Sequence, residues 1–443
     1  MRVMLERLFR LSEHRTSARV EVLGGVTTFV TMAYIIVVNP AILSALGLPT
    51  GPSTVATILA AVFGSLLMGL YANRPIAVAP YMGENAFLAF GLAGLGASWQ
   101  QCLGAVFVSG VAFLVLTLLG LRRWLAESIS PSMKHSFAVG IGLFLAFIGL
   151  VETRVVVSAG VPDVPLKIGT LRDPEVLLAL FGFLVIVTLL QRRIGGAILL
   201  GIALTAAVGV FLGHGTAPRG VAALPFTGEN ALSAVALKLD VPGVLKLSFL
   251  PVLLTLFLMG FLDTLGTLVG VGAAGKLLDE KGDFPQIERP MLVDALSCVF
   301  SALVGTSTSG AYIESATGIK EGARTGLAAV TTAGLFALSL FFLPLVEPLQ
   351  RLRYAYAPAL VAVGLLMLEQ VKGIDFADLT ELAPAFVTIA MMVFTYNIGN
   401  GLTAGLLLYP LVKVLAGRTA EIKPGSIVLA IACGIYFIFG LVH

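Results

Sequence analysis

Residues 80–90 read PYMGENAFLAF, which puts a proline, a glycine, a glutamate and an amide inside a long apolar tract. Ionisable side chains are costly within a membrane span and face a cavity or another polar group when they occur there. Pro75, Pro80 and Gly83 do not fit one continuous helix. The stretch therefore predicts a broken segment, with an extended strand over 76–80 and a half-helix over 83–93. Glu84 and Asn85 fall on the first turn of that half-helix, beside backbone N–H groups that have no intrahelical partner.

The rest of the chain sets the environment. Its 443 residues are 58% hydrophobic and 12% charged, with a mean hydropathy of +0.98, where a soluble domain carries roughly 25% charged residues. This is the composition of an all-α polytopic membrane protein lying in a lipid bilayer. A span needs about 20 apolar residues, and apolar runs recur from 22–45 to 426–442 as about fourteen segments and one further helix. Several are too short to cross as simple helices. The first run follows the charged segment 1–21, with Arg2, Arg7, Arg10, Arg15 and Arg19, and starts too late for a cleaved signal peptide. With the N-terminus cytoplasmic and the segments alternating, 20 of the 28 Lys and Arg residues fall on the inner side, as the positive-inside rule requires.

Other patterns exclude function classes. Cys102, Cys298 and Cys433 stand singly in apolar runs, without ligand or disulfide spacing. His14, His135, His214 and His443 are scattered, so no metal site is expected, and no cofactor either. The formal charge of +3 is small and dispersed, which argues against a nucleic-acid partner. GVGAAG at 270–275 fits a dinucleotide-binding spacing, but it ends an apolar span and follows no strand, so helix packing explains it better. No hydrolase or nucleotide-binding motif accompanies the hydroxyls of TSTS at 306–309, and an enzyme is not expected.

The halves of the chain echo each other. IGGAILLGI at 194–202 matches IGNGLTAGL at 398–406, and GENA at 83–86 matches IESA at 313–316. Seven segments per half is an odd number, so the second half inserts upside down, and inverted repeats of this kind bind cargo where discontinuous helices meet at the midplane. The partner of the opening stretch is a strand over 306–309 and a half-helix over 311–319. Two such strands pairing with each other would satisfy backbone groups that lipid cannot.

The deep acids are then Glu84, Asp263, Asp294 and Glu314, with no deep Lys or Arg beside them. Carboxylates accept from N–H groups, while Asn85 and half-helix N–H groups donate to carbonyls, so a planar neutral heterocycle fits. Tyr81, Phe87, Phe90 and Tyr312 are placed to stack on it, and Ser315 joins Glu314 at the second half-helix start. A capping role for Glu84 and Glu314 is the plainer alternative, although Ser or Thr caps with less desolvation. Asp294 lies near the start of its span and reads as structural, and Asn39 before Pro40 reads equally as the end of span 1.

GGVTTFVTMAYIIVVNP at 24–40, PYMGENAFLAF, FLDTLGTLVGV at 261–271, GTSTSGAYIESATGI at 305–319 and EGARTGLAAV at 321–330 together resemble the nucleobase-cation symporters, or nucleobase/ascorbate transporters, of the AzgA-like purine permease branch. The resemblance covers nearly the whole chain. It implies fourteen segments in two inverted seven-segment repeats, folded as in uracil transporters into a core domain (22–121 and 247–346) and a gate domain (133–212 and 354–416). The run 426–442 is then an added C-terminal helix. It also implies that Asp263 of segment 8 and Glu314 of segment 10 hold the base, that Asn85 belongs to the site, and that the gate domains pair in a homodimer. AzgA-like members usually carry Leu at the position of Glu84 and often a second Asp at that of Gly260, so one carboxylate has moved from segment 8 to segment 3.

The expected activity is import of a neutral purine nucleobase (guanine, hypoxanthine or adenine) across the cell membrane by proton symport and alternating access. Glu84, Asp263 and Glu314 are the proton-coupling candidates, because burial penalises the charged form of a carboxyl group. The alternatives are another N-heterocycle (xanthine, uracil or cytosine) and coupling to sodium. An anion exchanger or channel of similar fold fits less well, since acids beside the half-helix termini have the wrong sign for an anion.

Overall fold

A computed structural model describes residues 2–92, 96–120, 124, 128–161, 164–218, 220–274, 284 and 286–440. Gly275 of the GVGAAG match, residue 93 of the expected half-helix, and the basic residues Arg122, Arg123, Lys276 and Lys281 lie outside the described residues. The described chain is mainly helical, and nine of its helices are long and apolar enough to cross a membrane. The shorter apolar helices Ala197–Phe211, Leu379–Phe394 and Pro424–Ile435 accompany them. Polar side chains start the helices where the chain leaves the apolar region. Ser98 and Gln101 form a capping box on Trp99–Leu118, Asp173 accepts from the Glu175 N–H ahead of Pro174–Gln191, and Asn397 accepts from the Gly399 and Asn400 N–H groups. Each cap satisfies N–H groups that the first helical turn leaves open.

Packing sorts the helices into two groups. Thr50–Leu70 lies against Gly326–Ser339, Ala18–Met32 against the same helix, and Glu288–Val304 against Trp99–Leu118. Pro131–Glu152, Pro174–Gln191, Ala197–Phe211, Arg353–Met367, Leu379–Phe394 and Ile398–Leu415 pack chiefly on one another. Small residues permit these approaches, as they do in membrane bundles generally. A Cβ at Gly326 would strike the carbonyl of Gly69, and one at Gly364 the carbonyl of Gly142.

The two broken segments meet inside the first group. Strands β1 (Val78–Pro80) and β4 (Ser309–Ala311) pair antiparallel, with Ala79 opposite Gly310. The ladder continues in hydrogen bonds from Tyr81 N–H to the Thr308 carbonyl and from Tyr312 N–H to the Ala77 carbonyl, each 2.9 Å. Side chains satisfy the outer edges. The Val78 N–H donates to Ser65 Oγ (2.9 Å), and the Ala311 N–H to Asp294 Oδ2 (3.2 Å). Among the described residues no further strand closes the edges of this two-stranded ribbon, and neighbouring helices supply the missing partners.

The strands are shorter and later than the sequence suggests. The first begins at Val78 instead of 76, and the second at Ser309 instead of 306, since register is set by pairing across the two halves. The half-helix after β1 runs over Met82–Ala86 and widens to a π-helix over Phe87–Gly91. That after β4 starts only at Ser315 and ends at Lys320, leaving Glu314 at its N-cap. A second hairpin, β2 (Val156–Val161) with β3 (Val164–Ile168), was not expected. Its β-branched run VVVSAGVPDVPLKI favours strands, but the sequence reading assigned that loop no structure.

Candidate functional site

Both half-helices start beside the β1–β4 pair, which brings Glu84 and Glu314 to one region although 230 positions separate them. Glu84 and Asn85 are fully buried on the first helical turn after Tyr81. Neither carboxylate oxygen of Glu84 has a hydrogen-bond partner among the described residues. Glu314 is half-buried and accepts a 2.6 Å hydrogen bond from the Tyr34 hydroxyl on Oε1. Asp263, also half-buried, lies midway along Leu250–Ala274, within electrostatic range of both Glu84 and Glu314.

The expected aromatics divide in role. The rings of Tyr81 and Tyr312 lie nearly parallel, 6° apart, with centroids separated by 6.4 Å. Their hydroxyls are tied down, that of Tyr312 to the Pro80 carbonyl (2.5 Å) and that of Tyr81 to Thr264 Oγ1 (3.1 Å) and Asp294 Oδ2 (3.4 Å). The two rings are therefore fixed, one from each broken segment. Phe87 is a core residue whose ring lies over Gly91 of its own π-helix. Ser315 is fully buried and its Oγ accepts from the Ala77 N–H (3.0 Å), which makes it a brace of the strand pair. Asp294 holds Tyr81 and the edge of β4, the structural part its position suggested.

Two residues stand out that sequence reasoning missed or undervalued. Tyr34 was not singled out, although a tyrosine in an apolar run needs a partner for its hydroxyl. Asn39 does not end the first span but sits inside Ile35–Leu43, fully buried. Its amide donates to Thr57 Oγ1 (2.8 Å) and Thr306 Oγ1 (2.9 Å), and its carbonyl accepts from Asn85 Nδ2 (2.8 Å) and Ser307 Oγ (3.1 Å). Asn85 thus spends its donor on Asn39, and its Oδ1 has no partner among the described residues. Thr308 Oγ1 is likewise buried and without a partner among the described residues. Beside it Gly260 has room for a Cβ, which would meet Thr308 Cγ2 in ordinary contact at 3.6 Å. Among the described residues the site is thus rich in acceptors, has the Thr308 hydroxyl available to donate, and has room at Gly260 for a Cβ.

Residues 19–403 match the family model described as "Permease family" (Xan_ur_permease). The chain belongs to this permease family. Among its relatives it is 44% identical over 436 residues to permease MJ0326 of Methanocaldococcus jannaschii, covering 98% of each chain. It is 40% identical to adenine permease AdeP of Escherichia coli strain K12 (97% of this chain, 94% of that one). With guanine/hypoxanthine permease PbuO of Bacillus subtilis strain 168 it shares 38% identity (96% and 98%). Solved structures of similar fold include the transmembrane domain of the cyanobacterial bicarbonate transporter BicA, with a TM-score of 0.61 at 16% identity (87% of this chain, 97% of that one). Murine Slc26a9, an anion transporter, gives a TM-score of 0.61 at 13% identity (90% and 68%). These two likenesses show the fold alone and nothing about cargo.

Proposed function

We propose that this permease imports a neutral purine nucleobase together with a proton. The observation that carries the reading is the set of acceptors at the two half-helix starts, buried Glu84 and Asn85 Oδ1 and half-buried Glu314, with Asp263 in electrostatic range of Glu84 and Glu314. Such a site selects a ligand that brings N–H groups, since leaving buried acceptors unpaired is costly. The names of the adenine and guanine/hypoxanthine permeases among its relatives point to the same chemistry.

In this reading Glu314, oriented by Tyr34, and Asp263 accept from the N–H groups of the base. Thr308 and half-helix N–H groups donate to its carbonyl or ring nitrogen, taking over the donor role first expected of Asn85. Tyr81 and Tyr312 flank the plane. Glu84 carries the proton: an unpaired buried carboxylate is costly, and protonation removes that cost. The first helix group acts as the core that moves cargo and the second as the gate against which it moves, with the N-terminus cytoplasmic and two gates pairing in a homodimer.

Equilibrium binding of adenine, guanine, hypoxanthine, xanthine, uracil and cytosine to the purified protein, at two pH values and with or without sodium, tests this. Saturable binding of a purine that depends on pH and not on sodium is the expected result. A sodium requirement overturns the proton, and binding of no base overturns the cargo.

A further inference from the structure

The N-terminal helix Arg2–Phe9 has eight residues and rises roughly 12 Å, against the roughly 30 Å of a bilayer's hydrocarbon core, so it does not cross. It docks instead where two spans end. Phe9 and Leu11 are buried against Leu327 on the first turn of Gly326–Ser339, with Leu5, Ala18 and Val330 packed around them. Asn73, just past Thr50–Leu70, donates from Nδ2 to the Phe9 carbonyl (3.2 Å), while its Oδ1 accepts from the Gly326 N–H (2.8 Å). A single side chain therefore clasps the helix to the end of one span and the start of another. Exposed Tyr71 closes the same end of Thr50–Leu70, and tyrosine is enriched at the level of the lipid headgroups.

The helix carries two apolar strips. Leu5 and Phe9, one turn apart, pack on the protein. Met4 and Leu8, also one turn apart, are 59% and 52% exposed. At about 3.6 residues per turn the second strip lies beside the first, and exposed Arg7 borders it on the far side. Arg10, Arg15 and Arg19, also exposed, follow up to the first turn of Ala18–Met32. The acids of this stretch leave that charge in excess. Glu6 turns to the Ser12 N–H (3.0 Å), Glu13 lies 3.7 Å from Arg10, and Glu21 is fully buried, accepting from the Arg324 N–H (2.8 Å).

We infer that this surface binds anionic phospholipid of the leaflet it faces. Met4 and Leu8 enter the acyl boundary, as the apolar face of an interfacial helix does, and the arginines take the headgroup phosphates through paired N–H donors. A basic cluster beside the start of a span is the charge pattern that holds such lipids. A soluble acidic partner would satisfy the arginines, but the apolar strip lies at headgroup depth, where lipid is the neighbour. Seated lipid holds Phe9 and Leu11 on Leu327 and keeps the Asn73 clasp closed, which braces the helix group that carries both broken segments.

Purified full-length protein in nanodiscs of phosphatidylcholine, alone or mixed with phosphatidylglycerol, tests the inference. Phosphatidylglycerol raises the Tm of the unaltered protein, and high salt weakens the effect. Combining Arg7→Gln, Arg10→Gln, Arg15→Gln and Arg19→Gln leaves the Tm in phosphatidylcholine unchanged, while the apparent affinity for phosphatidylglycerol falls about fivefold per arginine. Spin labels on Met4→Cys and Leu8→Cys, placed without interference from the buried Cys102, Cys298 and Cys433, are open to oxygen and shielded from a water-soluble nickel chelate. A label on Ser12→Cys shows the reverse. An unaltered protein that does not distinguish the two lipids overturns the inference, and so does a four-arginine variant that binds phosphatidylglycerol as before. Labels at positions 4 and 8 that meet the nickel chelate freely place the strip in water and overturn it as well.

Discussion

The hydroxyl of Tyr34 donates to Oε1 of Glu314 at 2.6 Å, joining the break in the first span to the start of the second half-helix, 280 positions further on. A hydrogen bond to a carboxylate contributes about 1.5–3 kcal/mol. Tyr34→Phe therefore orients Glu314 less well and weakens purine binding about tenfold or more, whereas Glu314→Gln abolishes saturable uptake in a protein that still folds. Binding isotherms and uptake in the same preparations check both. Normal uptake by Glu314→Gln would remove this residue from the site.

Glu84 opposes stability and function to one another. Both its oxygens are buried without partners among the described residues, so Glu84→Leu relieves a desolvation cost of about 1–3 kcal/mol. The variant melts at a higher temperature in detergent and loses pH-dependent uptake. A lower Tm would mean that Glu84 makes stabilising interactions in the folded protein.

Asn39 is a hub with four side-chain hydrogen bonds. Asn39→Leu leaves Asn85, Ser307 and Thr306 short of partners in a dry interior, and each unsatisfied group costs about 1–3 kcal/mol. The expected outcome is a large fall in Tm and in yield, ahead of any change in substrate preference. A variant that melts normally would show that the hub is dispensable.

Two glycines respond oppositely to a methyl group. Gly260→Ala adds a Cβ in ordinary contact with Thr308 and leaves Tm unchanged, while altering the ranking of purines because the room beside Thr308 shrinks. Gly326→Ala drives a Cβ into the backbone of Gly69 and prevents the helices from packing. Thermal melts of the two variants side by side distinguish room for a Cβ from a close approach.

Asp378 governs stability in acid. Its carboxyl is held well below the usual carboxylate range, first by the Thr380 hydroxyl, against the opposing effect of burial, and then by the Thr380 N–H, Arg418 and Lys413. Arg418 Nη1 lies 2.6 Å from Oδ2, and buried Lys413 lies 3.6 Å from it. A depressed carboxyl contributes its stability in full above the unfolded-state value, about 3.9, and loses it as pH falls toward the folded value. Asp378→Asn therefore lowers Tm at neutral pH, and the gap from the unaltered protein narrows as pH drops below about 4. A gap that stays constant from neutral to acid pH would remove the charge from the explanation.

Much of this was legible without coordinates, because a membrane makes local sequence unusually informative. Lipid leaves no partner for a stray proline, glycine or acid, so PYMGENAFLAF could only be a break facing a polar interior, and the pairing of 76–80 with a strand expected at 306–309 followed from the same need. Asp294, read as structural from its place near the start of its span, hydrogen-bonds the Tyr81 hydroxyl and the Ala311 N–H. The exact register, Val78 opposite Ala311, depends on groups that only folding brings close, among them Ser65 and Asp294 at the ribbon edges. Asn39 and Tyr34 acquire their roles the same way, through partners some 270 and 280 positions away that no local pattern announces. Composition and spacing thus determined that the chain spans the membrane, where it breaks and which acids stand at the breaks. The tertiary structure decided which polar atoms are already paired and which remain open to a ligand, since a hydrogen bond is settled by distance and direction between side chains that sequence separation does not encode.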